Sequence, residues 1–214
     1  MQPLTRIPQL LCLLLATLTL TTGCAQNINL PTPQKTGGMP LMDALARRSS
    51  AREFGPKDLS PQQLSTLLWA CFGTNRVDGK RTAPSAKNNQ ETDIYVILKQ
   101  GGYVYDAIAN KLNLVVEEDL RRLAGTQDYT TNAPVTLVFV ADLAKKGKAT
   151  PEEKRNYAYV DVGYISQNAY LYCASGGLAT VARASVDRKG LAAKLRLRPD
   201  QLIVLAQSVG YPNP

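Results

Sequence analysis

Between Ala46 and Phe54 the chain sets Arg47, Arg48 and Arg52 beside Ser49 and Ser50, three guanidinium groups and two hydroxyls in nine residues. Arginine offers planar, bidentate donors that match phosphate oxygens, and serine adds a short neutral donor, so the stretch has the chemistry of a phosphate-monoester site. Phe54 beyond it can anchor the segment in a core. A second reading stands beside this one: basic residues ending a short helix, Leu41 to Arg48, favour the negative end of its dipole without binding anything. A second polar segment, Arg81-Thr82-Ala83-Pro84-Ser85-Ala86-Lys87-Asn88-Asn89-Gln90, is rich in small residues that let backbone amides approach a flat ligand.

Composition restricts what these segments can do. The 214 residues include no histidine and carry a formal charge of +8 at pH 7. Ser-His-Asp and Cys-His catalysis and His-ligated metals are thereby excluded, and no side chain has an unperturbed pKa near neutrality. A bound cofactor is the simplest source of redox or proton chemistry. The basic balance suits an anionic ligand or surface, but the cations are scattered, with no zinc spacing and no helix-turn-helix signal, so nucleic acid is not an expected partner.

Residues 1–24 are expected to be a signal segment: Arg6 precedes an apolar run, Leu10 to Leu20, too short to span a bilayer. Gly23-Cys24 is similar to a bacterial lipobox, which makes Cys24 the expected lipidation point and the protein an exported one, periplasmic or membrane-anchored as a lipoprotein. Thr21 occupies the position where a lipobox has leucine, so ordinary cleavage near Ala25 stays open. Residues 25–40, with Pro31, Pro33, Gly37, Gly38 and Pro40, read as a tether, and 41–214 as one domain. Cys71 and Cys173 remain in that domain, and either a disulfide or burial as two small hydrophobes fits them.

The elements that must position the two polar segments follow from caps and periodicity. Ser60-Pro61-Gln62-Gln63 and Thr150-Pro151-Glu152-Glu153 are capping-box starts. The first opens a helix ending at Gly73. The second opens the longest helix, to about Ala174 with a stop at Gly176-Gly177, apolar almost all round and so buried in the middle of the domain or at a subunit interface. Ile94–Leu98 and Val135–Ala141 read as strands, with a turn at Gly101-Gly102 between the first of them and a hairpin, Tyr103–Tyr105 with Leu112–Val116 around Asn110. A short helix is expected over Glu117–Leu123, then Ala179–Ala184 as a strand, a helix from Asp187 to Leu195, and Leu202–Val209 as a last strand. The mixture predicts an α+β fold.

Taken together, Arg48-Ser49-Ser50-Ala51-Arg52-Glu53-Phe54 and Pro84-Ser85-Ala86-Lys87-Asn88-Asn89-Gln90 resemble the two opening motifs of the FMN-dependent nitroreductase family. Leu67-Leu68-Trp69-Ala70, Gly102-Tyr103-Val104-Tyr105-Asp106, Gly176-Gly177-Leu178-Ala179-Thr180 and Val209-Gly210-Tyr211-Pro212 follow in order, and look most like the branch that includes azoline dehydrogenases. The resemblance implies a central antiparallel sheet flanked by helices, one long central helix, and a homodimer with FMN in each interface cleft. It puts Arg48, Ser49, Ser50 and Arg52 on the phosphate and ribityl chain, Pro84, Ser85, Ala86 and Asn88 beside the isoalloxazine, and Gly176 and Gly177 near its reactive edge. Arg183, a charge in an apolar strand, is a further candidate, because its burial would demand an anionic partner. The implied activity is ping-pong electron transfer from a small-molecule donor through FMN to a small acceptor. An azoline-type dehydrogenase acting on a peptide or small molecule is an alternative, and a non-enzymatic surface lipoprotein holding an anionic ligand is another. The chain departs from the family in lacking a basic residue in its C-terminal tail and in having Gln90-Glu91-Thr92 where many members have Gln-Pro-Trp.

Overall fold

The computed structural model describes residues 26–213, so the signal segment and Cys24 lie outside the described residues. A seven-stranded sheet forms the centre, in the order β1-β4-β3-β2-β5-β7-β6, with every neighbouring pair antiparallel. Its strands are β1 (Ile28–Asn29), β2 (Thr92–Leu98), β3 (Gly101–Asp106), β4 (Lys111–Val116), β5 (Val135–Asp142), β6 (Ala179–Arg183) and β7 (Gln201–Gly210). The helices are α1 (Leu41–Arg47), α2 (Pro61–Phe72), α3 (Pro151–Gly176) and α4 (Arg188–Lys194). This is an α+β architecture, with α3 as the one long helix among the described residues.

Strand alternation divides the core into two layers. Ile94, Val96, Leu98, Leu137 and Phe139 face α2 and α3, against Leu64, Leu67, Leu68, Val162 and Ile165. Tyr95, Ile97, Val138 and Val140 face the other way, against Leu120 and, from α4 and its end, Leu191 and Leu195. β5, all eight of whose residues are buried, runs between the two layers. Both capping boxes form: Ser60 accepts from the Gln63 amide and Thr150 from the Glu153 amide, with the reciprocal bonds made.

Three local expectations are corrected, and one that was open is decided. Gly101 and Gly102 lie inside β3 and the turn falls at Lys99-Gln100; a Cβ on Gly101 would stand 2.7 Å from the Val116 carbonyl oxygen, so the glycines serve strand approach and the adjacent bulge rather than the turn. Glu117–Leu123 is a series of turns, because the Asp119 carboxylate takes the Arg121 amide at 3.1 Å and its guanidinium besides, offering the backbone a local alternative to helix. The prolines and glycines of 26–40 read as a tether, yet this segment packs on the domain. Ile28–Asn29 pairs with β4, Leu30 is buried, the Pro31 carbonyl accepts from Asn110, and the Gln34 and Met39 amides donate to Thr66 and Ser175. Prolines lack N–H donors but keep carbonyls, and those satisfy buried side chains here. Finally, Cys71 and Cys173 are free and fully buried, which leaves the small-hydrophobe reading; burial holds both thiols up, Cys173 to about 12.

Candidate active site

Both polar segments are organised by α3, from different flanks. After α1 the chain runs along the free edge of β6, where the Ala51 amide donates to the Thr180 carbonyl at 3.0 Å and Phe54 bridges Pro212. Phe54 is buried as expected, with Ala179 and Val181. The Tyr170 hydroxyl completes this edge by accepting the Ala182 amide at 2.8 Å, and it lies 3.0 Å from Ser50 Oγ. The half-buried Arg48 places its guanidinium 5.3 Å from the Tyr170 ring centre. Ser49 and Arg52 are exposed beside them. A cation, a hydroxyl and an aromatic face are therefore held together, with a second guanidinium nearby in sequence and free to turn inward.

The second segment folds into a tight 3-10 turn, Ala86–Asn88, closed by the Gln90 amide bonding Ser85 Oγ at 3.0 Å. Lys87, Asn88 and Gln90 all have positive φ, 55°, 54° and 47°, which costs non-glycine residues and tends to persist at functional sites. The turn is tied to α3 by the Ala86 amide, which donates to both Asp161 carboxylate oxygens at 3.1 and 3.2 Å. Asp161 in turn meets Lys146, whose ammonium also pairs with Glu91 at 2.8 Å, all three side chains being nearly inaccessible. Burial, then the neighbouring Asp161, pushes the Glu91 carboxyl above its ordinary range against the pull of Lys146.

At the C-terminus of α3, Gly177 adopts a left-handed conformation (φ 66°, ψ 30°), and a Cβ added to Gly176 or Gly177 would meet nothing within 4 Å. The two glycines thus present open, exposed backbone, besides making a helix cap. Arg183 is not part of this arrangement. Residues alternate across β6, and Arg183 points to the face away from α3, where it donates to Ser208 Oγ at 2.8 Å and the Ala124 carbonyl at 2.9 Å. Burial lowers its pKa. The anionic partner expected for it is replaced, among the described residues, by neutral dipoles.

Tyr170, Asp161 and Lys146 were not singled out from the sequence. Tyr170 reads as one more apolar position of α3, and Lys146 as one of the scattered basic residues. The available signal was Asp161, an acidic residue that α3 periodicity places at the edge of its buried face.

Between the flanks that carry Asp161 and Tyr170, α3 exposes Tyr157, Val160 and Tyr164, each about half accessible, while neighbouring α1 exposes Leu41, Met42 and Leu45. A cavity of about 660 Å³ lies elsewhere, between Leu30, Phe54, Leu64, Leu98 and Val135, and shares only Phe54 with the arginine segment.

Comparison with known proteins gives this architecture a class. The pattern of the nitroreductase family matches residues 45–211. A provisionally named nitroreductase of Methanocaldococcus jannaschii is 29% identical over 170 residues, 75% of this chain and 84% of that protein. The crystal structure of a provisionally named nitroreductase from Ralstonia eutropha superposes with a TM-score of 0.85 at 40% identity, covering 90% of this chain and 92% of that one. The fold also matches the NADPH:FMN oxidoreductase of Vibrio harveyi solved with NAD+, at a TM-score of 0.61 and 20% identity over 81% of this chain and 69% of that one. The chain belongs to the nitroreductase family and is an oxidoreductase, which decides against the non-enzymatic alternative.

Proposed function

We propose that the protein binds FMN in clefts between two copies of the chain and passes electrons by turns from a small donor to a small acceptor. The observation that carries the two-copy site is the placement of the polar segments on α3. Asp161 and Tyr170 are nine residues apart, which on an α-helix is about 13.5 Å of rise and roughly half a turn of phase. Segments held on opposite flanks of one helix do not close on one ligand within a protomer. The apolar stripe of Tyr157, Val160 and Tyr164 between them is the surface on which a second copy would dock, bringing its Pro84–Asn88 turn toward the first copy's arginines.

In this reading Arg48, Ser49, Ser50 and Arg52 hold the phosphate and ribityl chain, with Tyr170 fixing Arg48 and Ser50. Pro84, Ser85, Ala86 and Asn88 flank the ring system, and the open backbone of Gly176 and Gly177 lies near its reactive edge. The donor set fits the group: guanidinium and hydroxyl for a phosphate, bare amides and small side chains for a flat heterocycle. Bound FMN would supply reversible two-electron transfer. The protein's own part is to orient the ring, exclude water with the α3 stripe and its mate, and direct positive charge and amides toward growing negative charge. Membership of the azoline-dehydrogenase-like branch, and export with lipidation at Cys24, belong to the same proposal and rest on sequence motifs alone; retention of labelled palmitate by wild type but not by Cys24→Ala tests the latter.

The purified protein is expected to be yellow, to release FMN on denaturation, and to lose flavin in Arg48→Ala. Colourless protein that does not take up added FMN would overturn the reading. Bleaching of the bound flavin by NADH or NADPH in stopped flow identifies a nicotinamide donor; the absence of bleaching at millimolar concentration points to a membrane carrier or to a dehydrogenase acting on its own substrate.

A further inference from the structure

The three buried charges at the foot of the Pro84–Asn88 turn have no place in the roles assigned so far. Surface ion pairs need no explanation, but Lys146, Glu91 and Asp161 are 1%, 0% and 3% accessible at their side chains, and a buried ion pair is commonly no more stabilising than apolar residues of the same shape. Retaining three charges there calls for something that apolar side chains cannot do. Only an acceptor can take the Ala86 N–H, and an ionised carboxylate takes it with both oxygens.

We infer that Asp161 is a positioning residue for the flavin-facing turn, its carboxylate fixing the Ala86 amide while the Lys146 ammonium pairs with that carboxylate and with Glu91. The inference rests on the FMN reading for the word flavin-facing, but the anchoring itself does not. Lys146 Nζ lies 3.1 Å from Asp161 Oδ2 and 2.8 Å from Glu91 Oε1, so one ammonium serves two carboxylates. Tyr157 presents its ring 5.5 Å from the same ammonium. Burial, then the neighbouring Asp161, raises the Glu91 carboxyl against the pull of Lys146, while both Asp161 oxygens accept the Ala86 amide. The strained backbone at Lys87, Asn88 and Gln90 needs such a tie, because positive-φ conformers persist only where their surroundings over-determine them.

The full chain carries its own probe, since Lys87 is an exposed tryptic site within the turn. Asp161→Ala leaves a neutral Lys146–Glu91 pair and so keeps the buried charge balanced. In flavin-free protein it should raise hydrogen exchange at the Ala86 amide and the rate of cleavage after Lys87, each on the order of tenfold or more, as expected for loss of a charged hydrogen bond. The FMN dissociation constant should rise by a similar factor. Asp161→Asn, whose carboxamide oxygen accepts the same N–H, should recover most of the protection. Ala86→Pro removes the donor without touching the charges, and the extended Ser85 before it (φ −138°, ψ 149°) tolerates a following proline. It should speed cleavage after Lys87 and weaken FMN binding even if Asp161→Ala fails to fold. Wild-type exchange and cleavage in Asp161→Ala, or wild-type cleavage in Ala86→Pro, would overturn the anchor. A loosened turn with unchanged FMN affinity would overturn its flavin-facing role. Wild-type protein that never binds FMN would sink the proposed function while the exchange and cleavage arms still judged the anchor.

Discussion

Tyr170 does three things with one side chain: its hydroxyl caps the open edge of β6 at Ala182 and meets Ser50, and its ring faces the Arg48 guanidinium. Tyr170→Phe separates them. The ring contact survives, but the Ala182 amide loses its partner, at a cost of about 1 kcal/mol, and Ser50 is freed. Urea unfolding should report that loss, and FMN affinity should fall by less than in Arg48→Ala, where a charged donor disappears. Glu91 gives a pH prediction whose sign is set by burial. Its folded pKa is raised above the ordinary 4.5, so the folded state holds the proton more tightly than the unfolded chain does. Its contribution to stability is complete below the ordinary value and is lost as pH rises through the raised one. Thermal melts of wild type against Glu91→Gln should therefore diverge as pH rises above about 4.5, with the glutamine form the flatter of the two. Lys146→Met, by contrast, strands two buried carboxylates and should cost about 3–5 kcal/mol at neutral pH, with partial recovery on acidification as the acids take up protons.

In the proposed dimer, α3 is the element on which site and assembly meet. Its buried face carries Ala158, Val162, Ile165, Ala169 and Cys173, its opposite face exposes Tyr157, Val160 and Tyr164, and the two site segments attach along the flanks between. Tyr164→Lys places a charge in the middle of the exposed stripe. If that stripe is the mate of a second copy, the variant should elute as a monomer in size-exclusion chromatography and release its flavin, while its circular dichroism stays that of wild type. The start and stop of α3 were readable in the sequence because Thr150, Pro151, Glu153 and Gly177 act locally, through caps and a left-handed terminus. So was the hairpin at Asn110, which takes φ 48° in the turn. What was not readable depends on distant neighbours. Gly101 and Gly102 resemble a turn until Val116 is beside them, and Glu117–Leu123 resembles a helix until the Asp119 side chain competes for the backbone. Arg48 and Ser50 stand out by residue type as candidate phosphate donors, beside the helix-dipole reading, whereas the contacts of Tyr170 and Asp161 exist only because the fold brings together residues 120 and 75 positions apart. Arg183 is visible in the sequence as a charge in an apolar strand, but its neutral partners, Ser208 and the Ala124 carbonyl, are set by the fold.

At the scale of the whole molecule, the segment before α1 belongs to the domain that it was expected only to tether. β1 extends the sheet at the β4 edge, and Ile28 and Leu30 form one wall of the 660 Å³ cavity. Asn110 is the joint, donating to the Leu30 and Pro31 carbonyls and to Ser65 Oγ, while the Met39 amide reaches Ser175 near the end of α3. A chain beginning at Leu41 should therefore be less stable than one beginning at Gln26. Removing Leu30 alone forfeits its burial, about 1.5–3 kcal/mol, and Asn110 and Ser65 lose hydrogen-bond partners at about 1 kcal/mol each. The loss should appear as a lower urea midpoint with a smaller m-value, because less surface is exposed on unfolding. The arginine segment lies at the far edge of the sheet, on β6, and shares with this region the wall residue Phe54. FMN binding should consequently weaken far less than stability does, and a truncated protein that loses its flavin while keeping its urea midpoint would contradict this division of the molecule.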